Sequence, residues 1–467
     1  MKRREFLTGA TLAAGAAALA GCATKTKGAA CAAGAAPMKG FRVAPLKSIR
    51  VGFVGLGKRG SAAVKRVSGL PGVVVAAICD NVPERIAASR KWLNEMKVSG
   101  FREYGGDEGW KALCDSELDV VYNATPWYLH APIGLYAMNA GKHVMIEVPS
   151  AMYLDECWNL VETAEKARRH CMQLENCCYG EAECLGLVLC REKIFGELLY
   201  GECGYIHDRR PGVFSDDYVD HWRMMWNVNH RGDQYPTHGL GPICRYMDVN
   251  FGDSLDYLVS VDTMQAGYEA YAKAKFPGTW KAKQKFKTGD ATFTTIRTKK
   301  GRVIVIKHDT TSPRPYTRIN RIQGTKGVFE GAADSDTWPM RMMLDHRLDN
   351  SDAPEKWMDD KELAAIRKKY MHPLWKKAGE LALKVGGHGG MDFLMDLRWT
   401  YCLRNGLPLD MDVYDLATWC SVCELSERSV LSGSKPQEFQ DFTRGAWKTA
   451  KPLPLADIEM SKTGFPS

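Results

Sequence analysis

The 467-residue sequence predicts two folded domains in tandem: an α/β domain on a parallel, doubly wound sheet, then an α+β domain whose sheet is largely antiparallel. Three observations predict it. Short apolar runs alternate with helical stretches up to about residue 176, the rhythm of repeated strand–helix–strand units. A glycine turn, Gly55-Leu56-Gly57-Lys58-Arg59-Gly60, joins the first of these strands to the first helix. From about residue 177 the strands lengthen, and the hairpin signal Lys299-Lys300-Gly301 stands between two of them.

Ser48 to Gly55 is the first apolar strand and ends in the turn. Val73 to Cys79 is the second, closed by Asp80. Asp119 to Ala124 is a later strand, followed by a helix from about Leu129 to Ala140. His143 to Pro149 is another strand, and Met172 to Asn176 reads as the last of this domain. Beyond it, Leu255 to Val261, Ala291 to Arg297 and Val303 to His308 are the longer strands, and helices follow near 361–384, 391–404 and 412–431. The chain divides into a signal (1–22), a linker (23–45), a dinucleotide-binding domain (46–176), an α+β substrate domain (177–440) and a C-terminal tail (441–467).

Hydrophobic residues make up 45% and charged residues 25%, ordinary for a soluble globular protein. The net charge of +8 is concentrated at the start: residues 1–45 hold seven Lys/Arg and one acid, Glu5, so 7 − 1 = +6 lies there and 8 − 6 = +2 in the rest. No basic run interleaved with aromatics follows, so nucleic acid is not an expected partner. Arg3-Arg4-Glu5-Phe6-Leu7 is a twin-arginine pattern, and Leu19-Ala20-Gly21-Cys22 has the form of a lipoprotein signal box. Together they predict export in folded form and anchoring at the cell envelope, periplasm or outer membrane, with a lipid on Cys22 as the only link to a membrane. The Ala/Gly/Lys-rich stretch after Cys22 reads as a tether. Of the fifteen cysteines, Cys420 and Cys423 form a lone CxxC that no second pair completes into a zinc set. The cysteines other than Cys22 are read as core residues, and no metal is expected.

Gly55-x-Gly57-x-x-Gly60 is a weak signal alone, but a strand precedes it and Ser61-Ala62-Ala63-Val64 opens a helix after it, as pyrophosphate binding requires. Asp80 lies 80 − 60 = 20 residues past the last glycine. An acid there accepts hydrogen bonds from the ribose hydroxyls and repels a 2′-phosphate, favouring NAD over NADP. Lys58 and Arg59 are cations that argue in the opposite direction.

At Glu147-Val148-Pro149 the sequence resembles the Gfo/Idh/MocA oxidoreductases, in which a Rossmann domain precedes an α/β domain carrying the substrate site. Most of those dehydrogenases have a lysine at the position of Val148, working in proton transfer, a task an apolar side chain cannot perform. The departure resembles one branch, glycoside hydrolase family 109, the NAD-dependent α-N-acetylgalactosaminidases. The motifs are Trp127-Tyr128-Leu129-His130, Glu175-Asn176-Cys177-Cys178-Tyr179, Tyr205-Ile206-His207-Asp208, His221-Trp222-Arg223, Tyr235-Pro236-Thr237-His238-Gly239-Leu240-Gly241 and the run from Thr311 to Arg318. By that resemblance Lys58, Arg59, Asp80, Trp127, Tyr128, Leu129, His130, Glu147, Val148, Asn176 and Tyr235 touch NAD, beside the glycines. Tyr205, Arg223, Tyr235, Pro236, Thr237, His238 and Tyr316 line the sugar pocket. Read without the family, Tyr205 and Tyr316 are also compatible with half-buried structural tyrosines, His238 with a satisfied core histidine, and Arg223 with a cation packed on Trp222.

The resemblance implies hydrolysis of a terminal α-linked N-acetylgalactosamine with no net redox change: a hydride leaves sugar C3 for NAD, the acidified C2 proton is removed, the aglycone is eliminated from C1, water adds, and the hydride returns. A tightly held cofactor in an exported enzyme then needs no recycling. His238 and Tyr235 are expected to share the C2/C3 proton work, with Tyr316 assisting at C1. Met224, Met225 and Trp226 either contact an N-acetyl methyl or simply pack. Three other readings stay open: an NAD-dependent sugar oxidoreductase, a glycosidase for another sugar, and a non-catalytic glycan-binding lipoprotein. The expected partner is the terminal sugar of a glycan or glycoconjugate. A homodimer through the open face of the second sheet is a further expectation.

Overall fold

β1 (Ile49–Val54) is apolar at all but two positions and buried along almost its whole length, which is the signature of a central strand covered on both faces. The computed structural model, which describes residues 37–331, 340–347, 351–352 and 355–465, places it in the middle of a six-stranded sheet. The others are β2 (Val73–Asp80), β3 (Arg102–Gly105), β4 (Val120–Asn123), β5 (His143–Ile146) and β6 (Cys171–Gln173). Their order is β3-β2-β1-β4-β5-β6 with every neighbour parallel. The order reverses between β1 and β4, and the crevice beyond the carboxyl ends at such a reversal is where doubly wound sheets bind ligands. The proposed signal and the lipid-bearing Cys22 lie outside the described residues.

The glycine turn follows β1 directly. Gly55 sits at φ +86° and donates its N–H to the Cys79 carbonyl at 2.9 Å, tying the turn to β2. A Cβ on Gly60 would stand 1.7 Å from the Gly55 carbonyl oxygen. The helix Lys58–Ser68 therefore starts hard against the turn, and Gly57 offers its first N–H groups no side-chain cap.

The second sheet has eight strands: β7 (Leu198–Ile206), β8 (Leu255–Asp262), β9 (Ala291–Thr298), β10 (Val303–Asp309), β11 (Arg321–Gly324), β12 (Gly327–Glu330), β13 (Arg341–Leu344) and β14 (Gln437–Glu438). The order is β13-β12-β11-β7-β10-β9-β8-β14, antiparallel throughout except between β7 and β10. The hairpin at Lys299 to Gly301 joins β9 to β10 with Arg297 opposite Val303. One face of this sheet buries Leu258, Ile296, Ile304 and Ile306; the other leaves Tyr257, Val261 and Phe293 exposed.

Two differences from the sequence reading have local causes. The stretch 361–384 is two helices, Asp360–Tyr370 and Pro373–Val385, because Pro373 has no N–H to continue the first and His372 caps the second, its Nδ1 accepting the Leu374 N–H at 3.2 Å. β7, not anticipated, is broken in pattern by Gly201, Glu202 and Gly204.

The C-terminal helices return to the first domain. Met391–Asn405 is buried almost all round and meets Lys58–Ser68, with Arg66 Nε donating to Asp396 Oδ2 at 3.0 Å. Val413–Leu431 packs against Leu154–Ala167, and one continuous hydrophobic core runs through both sheets' packing. The thirteen described cysteines are all free, and all are buried except the half-buried Cys190. Among the described residues no helix is long and apolar enough to cross a membrane.

Gly60→Ala must push the first helix off the Gly55 carbonyl. It should lower stability by about 1–3 kcal/mol, read as a reduced denaturant midpoint; an unchanged midpoint would show that the turn yields freely.

Candidate active site

The crevice at the carboxyl ends of β1 and β2 fits a dinucleotide. Gly55 and Gly60 leave room only for bare backbone, and no side chain caps the helix start, whose free N–H groups suit a pyrophosphate. Asp80 closes β2, buried, with Oδ2 accepting the Leu56 N–H at 2.6 Å and Oδ1 the Val82 N–H at 2.9 Å. These bonds fix the carboxylate at the end of β2, where the sequence reading expects the ribose.

The two cations of the glycine motif diverge. Lys58 is exposed and pairs with Asp217 at 2.5 Å. Arg59 turns inward, its Nε 2.6 Å from Glu147 Oε1 and its Nη1 2.7 Å from Asp392 Oδ2. Asn176 Nδ2 donates to the other oxygen of Asp392 at 2.6 Å, and His388 Nδ1 lies 2.8 Å from Oδ2. Asp392 thus joins three expected cofactor residues, Arg59, Glu147 and Asn176, into one array. Burial opposes its charge, but Arg59, His388 and Arg66 outweigh that and hold the carboxyl far below its usual range.

Trp127, Tyr128 and Leu129 form a 3-10 turn after β4, which leads into the helix His130–Asn139. Trp127 is buried at the boundary with the sugar side, whereas Tyr128 is exposed. His130 does not face the crevice: its ring nitrogens lie 2.6 Å from the Pro149 carbonyl and 2.7 Å from that of Thr125, bracing the segments after β4 and β5. Val148 is buried in the second of these.

On the substrate side the expected residues converge. Tyr205, from the end of β7, has its ring centroid 4.5 Å from Tyr235, 5.7 Å from His238 and 6.0 Å from Tyr316. Tyr235 is in turn 4.9 Å from His238 and 5.8 Å from Trp127, so the cofactor and sugar sets share a wall. Pro236 and Thr237 begin the helix Thr237–Tyr246, which presents His238. Thr237 is fully buried, its hydroxyl turned to the Glu175 carboxylate whose charge it helps to hold.

Arg223 packs on Trp127 and Tyr235, with Cζ 4.8 and 5.3 Å from their ring centroids, and its Nη1 reaches Tyr218 Oη at 3.5 Å. Among the described residues no carboxylate pairs with it; its partners are the phenol of Tyr218 and the faces of Trp127 and Tyr235. Met224 packs in a separate core with Val213, Phe214 and Tyr268, so it serves packing; Trp226 joins the Trp127 cluster.

Four residues without an assigned role in the sequence reading complete the site. Glu175 is fully buried, and its Oε1 lies 2.7 Å from His238 Nδ1. Burial opposes its ionisation, but His238 and the Cys177 N–H hold its carboxyl below the ordinary value. A carboxylate on Nδ1 keeps the proton there and leaves Nε2 as the exchanging nitrogen. Arg318, paired with Glu183 at 2.9 Å, donates from Nη1 to Tyr316 Oη at 3.2 Å, leaving the Tyr316 proton for another acceptor. Tyr218 accepts from Arg209 as well as Arg223; burial alone would raise its phenol, but the two guanidiniums hold it below the ordinary value. Tyr235 and Tyr316 differ: burial pushes both phenols up. At Tyr235 burial outweighs Arg223, so the lowering expected of it is left to the charge of a bound nicotinamide, while the Glu175 hydrogen bond orients His238 for proton transfer. The fourth residue is Asp233, whose Oδ1 accepts the Tyr235 N–H at 3.0 Å.

Glu175, Cys177 and His238 also offer ligand atoms within 4.8 Å of one another. The Glu175–His238 hydrogen bond and the place of Cys177 two residues after Glu175 account for that closeness.

The fold and crevice define a protein with an NAD-binding Rossmann domain followed by a separate sugar-facing domain. Residues 49–174 match the oxidoreductase family model with the NAD-binding Rossmann fold, and residues 179–449 match the model for the C-terminal domain of glycosyl hydrolase 109. The chain belongs to glycosyl hydrolase family 109. Glycosyl hydrolase family 109 protein 1 of Bacteroides fragilis is 45% identical over 430 residues, 90% of each chain. Glycosyl hydrolase family 109 protein 2 of a Shewanella species is 43% identical over 463 residues, 97% of this chain and 98% of its own. Among solved structures, levoglucosan dehydrogenase in complex with NADH and levoglucosan has a TM-score of 0.60 at 17% identity, covering 84% of this chain and 99% of its own. An NAD-binding oxidoreductase of Klebsiella pneumoniae has a TM-score of 0.64 at 16% identity, covering 85% and 100%. At these identities the two structures share the fold.

Asp233 sets a pH dependence. Burial pushes its carboxyl up to about 7, against roughly 4 in an unfolded chain. Between those values the folded chain holds a proton that the unfolded chain has lost, so this residue makes stability fall as pH rises through the window and stay lower above it. Asp233→Asn should raise the Tm at pH 8 and leave it nearly unchanged at pH 4, a gain on the order of a few kcal/mol; equal shifts at both pH values would refute this.

Proposed function

We propose that this glycosidase hydrolyses terminal α-linked N-acetylgalactosamine with no net redox change. The observation that carries the reading is the shared wall of the two sites: Tyr235 touches Trp127 on the cofactor side and His238 and Tyr205 on the sugar side. Bound NAD would supply a reversible hydride acceptor for the sugar C3–H, and Tyr235, beside His238, takes and returns the C3 hydroxyl proton. Glu175 holds the Nδ1 proton of His238, and Nε2 takes and returns the C2 proton. Tyr316, its oxygen occupied by Arg318, donates toward the leaving oxygen at C1. Arg223 and Tyr205 orient the ring hydroxyls. Val148 in place of a lysine argues against the ordinary lysine-based dehydrogenase, and the family membership favours hydrolysis over net oxidation.

Two further readings accompany it. The twin-arginine and lipobox motifs support export in folded form and a lipid on Cys22. The exposed face carrying Tyr257, Val261 and Phe293, with Val261 directly opposite Phe293, supports a homodimer through the second sheet. Sedimentation should give twice the chain mass, and Phe293→Lys should return it to one.

The full chain with NAD should release aglycone from a chromogenic α-N-acetylgalactosaminide with no accumulating NADH, and should do so after chelator treatment. NADH growth on free sugar without aglycone release would favour the dehydrogenase reading. His238→Ala should abolish release, and Glu175→Gln should lower kcat by about 100-fold and alter the pH profile with little change in KM. Near-normal turnover in either would remove the dyad from the reaction.

A further inference from the structure

The segment 214–218 of the second domain crosses to the adenosine end of the cofactor crevice. Asp217 does two things there: its carboxylate pairs with Lys58 of the glycine motif at 2.5 Å, and its carbonyl accepts from Arg85 Nη2 at 2.6 Å. Arg85 Nη1 lies 3.8 Å from Asp80 Oδ1, the carboxylate at the expected ribose position. One residue of the substrate domain therefore holds both Lys58 of the glycine motif and Arg85, the cation beside Asp80.

The same segment is tied at both ends. Phe214 is buried among Tyr268, Phe276 and Phe286, and the buried Lys281 donates to its carbonyl at 3.0 Å and to Asp216 Oδ1 at 2.6 Å. At the other end Tyr218 Oη accepts from Arg209 at 3.2 Å and from Arg223, the sugar-pocket cation, at 3.5 Å. Immediately beyond, Asp220 and His221 both adopt left-handed backbone, at φ 52° and 49°. Two adjacent non-glycine residues in that region are held by their surroundings rather than by preference. They form a sharp corner between the segment and the helix Trp222–Asn229, which carries Arg223.

We propose that residues 214–218 are a clasp that closes the adenosine end of the crevice from the substrate domain and slows the loss of NAD, with Asp217 as its catch and Lys281 as its anchor. The inference rests on the redox-neutral reading above, in which NAD ends each turnover as it began and has no need to leave. Asp217 also neutralises the cations that a 2′-phosphate would need, so the clasp reinforces the choice made by Asp80.

The test is the rate at which NAD leaves the holoprotein. Full chain loaded with radiolabelled NAD is chased with excess unlabelled NAD, and retained label is followed in wild type, Asp217→Ala and Lys281→Met. The thermal midpoint of each NAD-free variant reports its folding. Asp217→Ala should lose NAD about fivefold faster, the scale of one exposed ion pair, with an unchanged midpoint; Lys281→Met should lose it faster still. Asp217→Ala should also narrow the gap between NAD and NADP affinity. Release at the wild-type rate from Asp217→Ala overturns the clasp, whether or not Lys281→Met folds. Release from wild type within the mixing time overturns it too, while aglycone release reports separately on the glycosidase reading.

Discussion

The buried carboxylate of Asp392 is the point on which the site depends. It comes from the helix Met391–Asn405, far along the chain, yet it receives Arg59 from the glycine-motif helix and Asn176 from the segment after β6. A lone carboxylate in that position would be costly to bury; ringed by a guanidinium, an amide and His388 it is compensated and fixed. Glu147 is held through the same Arg59. Residues of the cofactor wall that look independent in sequence are thus one electrostatic unit, and the helix that supplies its centre also covers the sheet carrying NAD.

The sugar side is organised by a different balance. Here cations lie against aromatic faces and phenol oxygens: Arg223 on Trp127 and Tyr235, Arg318 on Tyr316. Burial and nearby arginines act in opposite directions on the tyrosines, so phenols of the same kind are shifted in opposite directions within one pocket. Tyr218 is drawn below its ordinary value; Tyr235 and Tyr316 are pushed above it. Among the described residues the carboxylate hydrogen-bonded to an expected proton-transfer side chain is Glu175, on the Nδ1 side of the His238 imidazole. That arrangement differs from the facing carboxylate pair of ordinary glycosidases.

What was legible in the sequence was what local pattern encodes. The alternation of apolar strands, the glycine turn and Asp80 report short-range geometry, and the structure has the parallel sheet they imply. The motif Tyr235 to His238 is contiguous, so its convergence needed only one helix start. Asp392, Glu175 and Arg318 act through partners distant in sequence, where spacing carries no signal. Asn176 and Asp392, for example, are 216 residues apart. β7 escaped notice because Gly201, Glu202 and Gly204 interrupt its alternation, although it delivers Tyr205. The stretch 361–384 looked continuous because its apolar period survives the break at Pro373.

The return of the C-terminal helices to the first domain has a consequence for synthesis on the ribosome. The nucleotide-binding half emerges first, but Arg66 and the flank of Leu154–Ala167 find their partners, and Arg59 its second carboxylate, only after Met391–Asn405 and Val413–Leu431 have emerged. Until then a strip of apolar surface and Arg66 stay uncovered on the nascent chain. The usual domain-by-domain order of folding is unavailable to this chain. Assembly is completed by its last quarter, so a ribosome stalled before that point holds a half-finished cofactor domain in need of a chaperone.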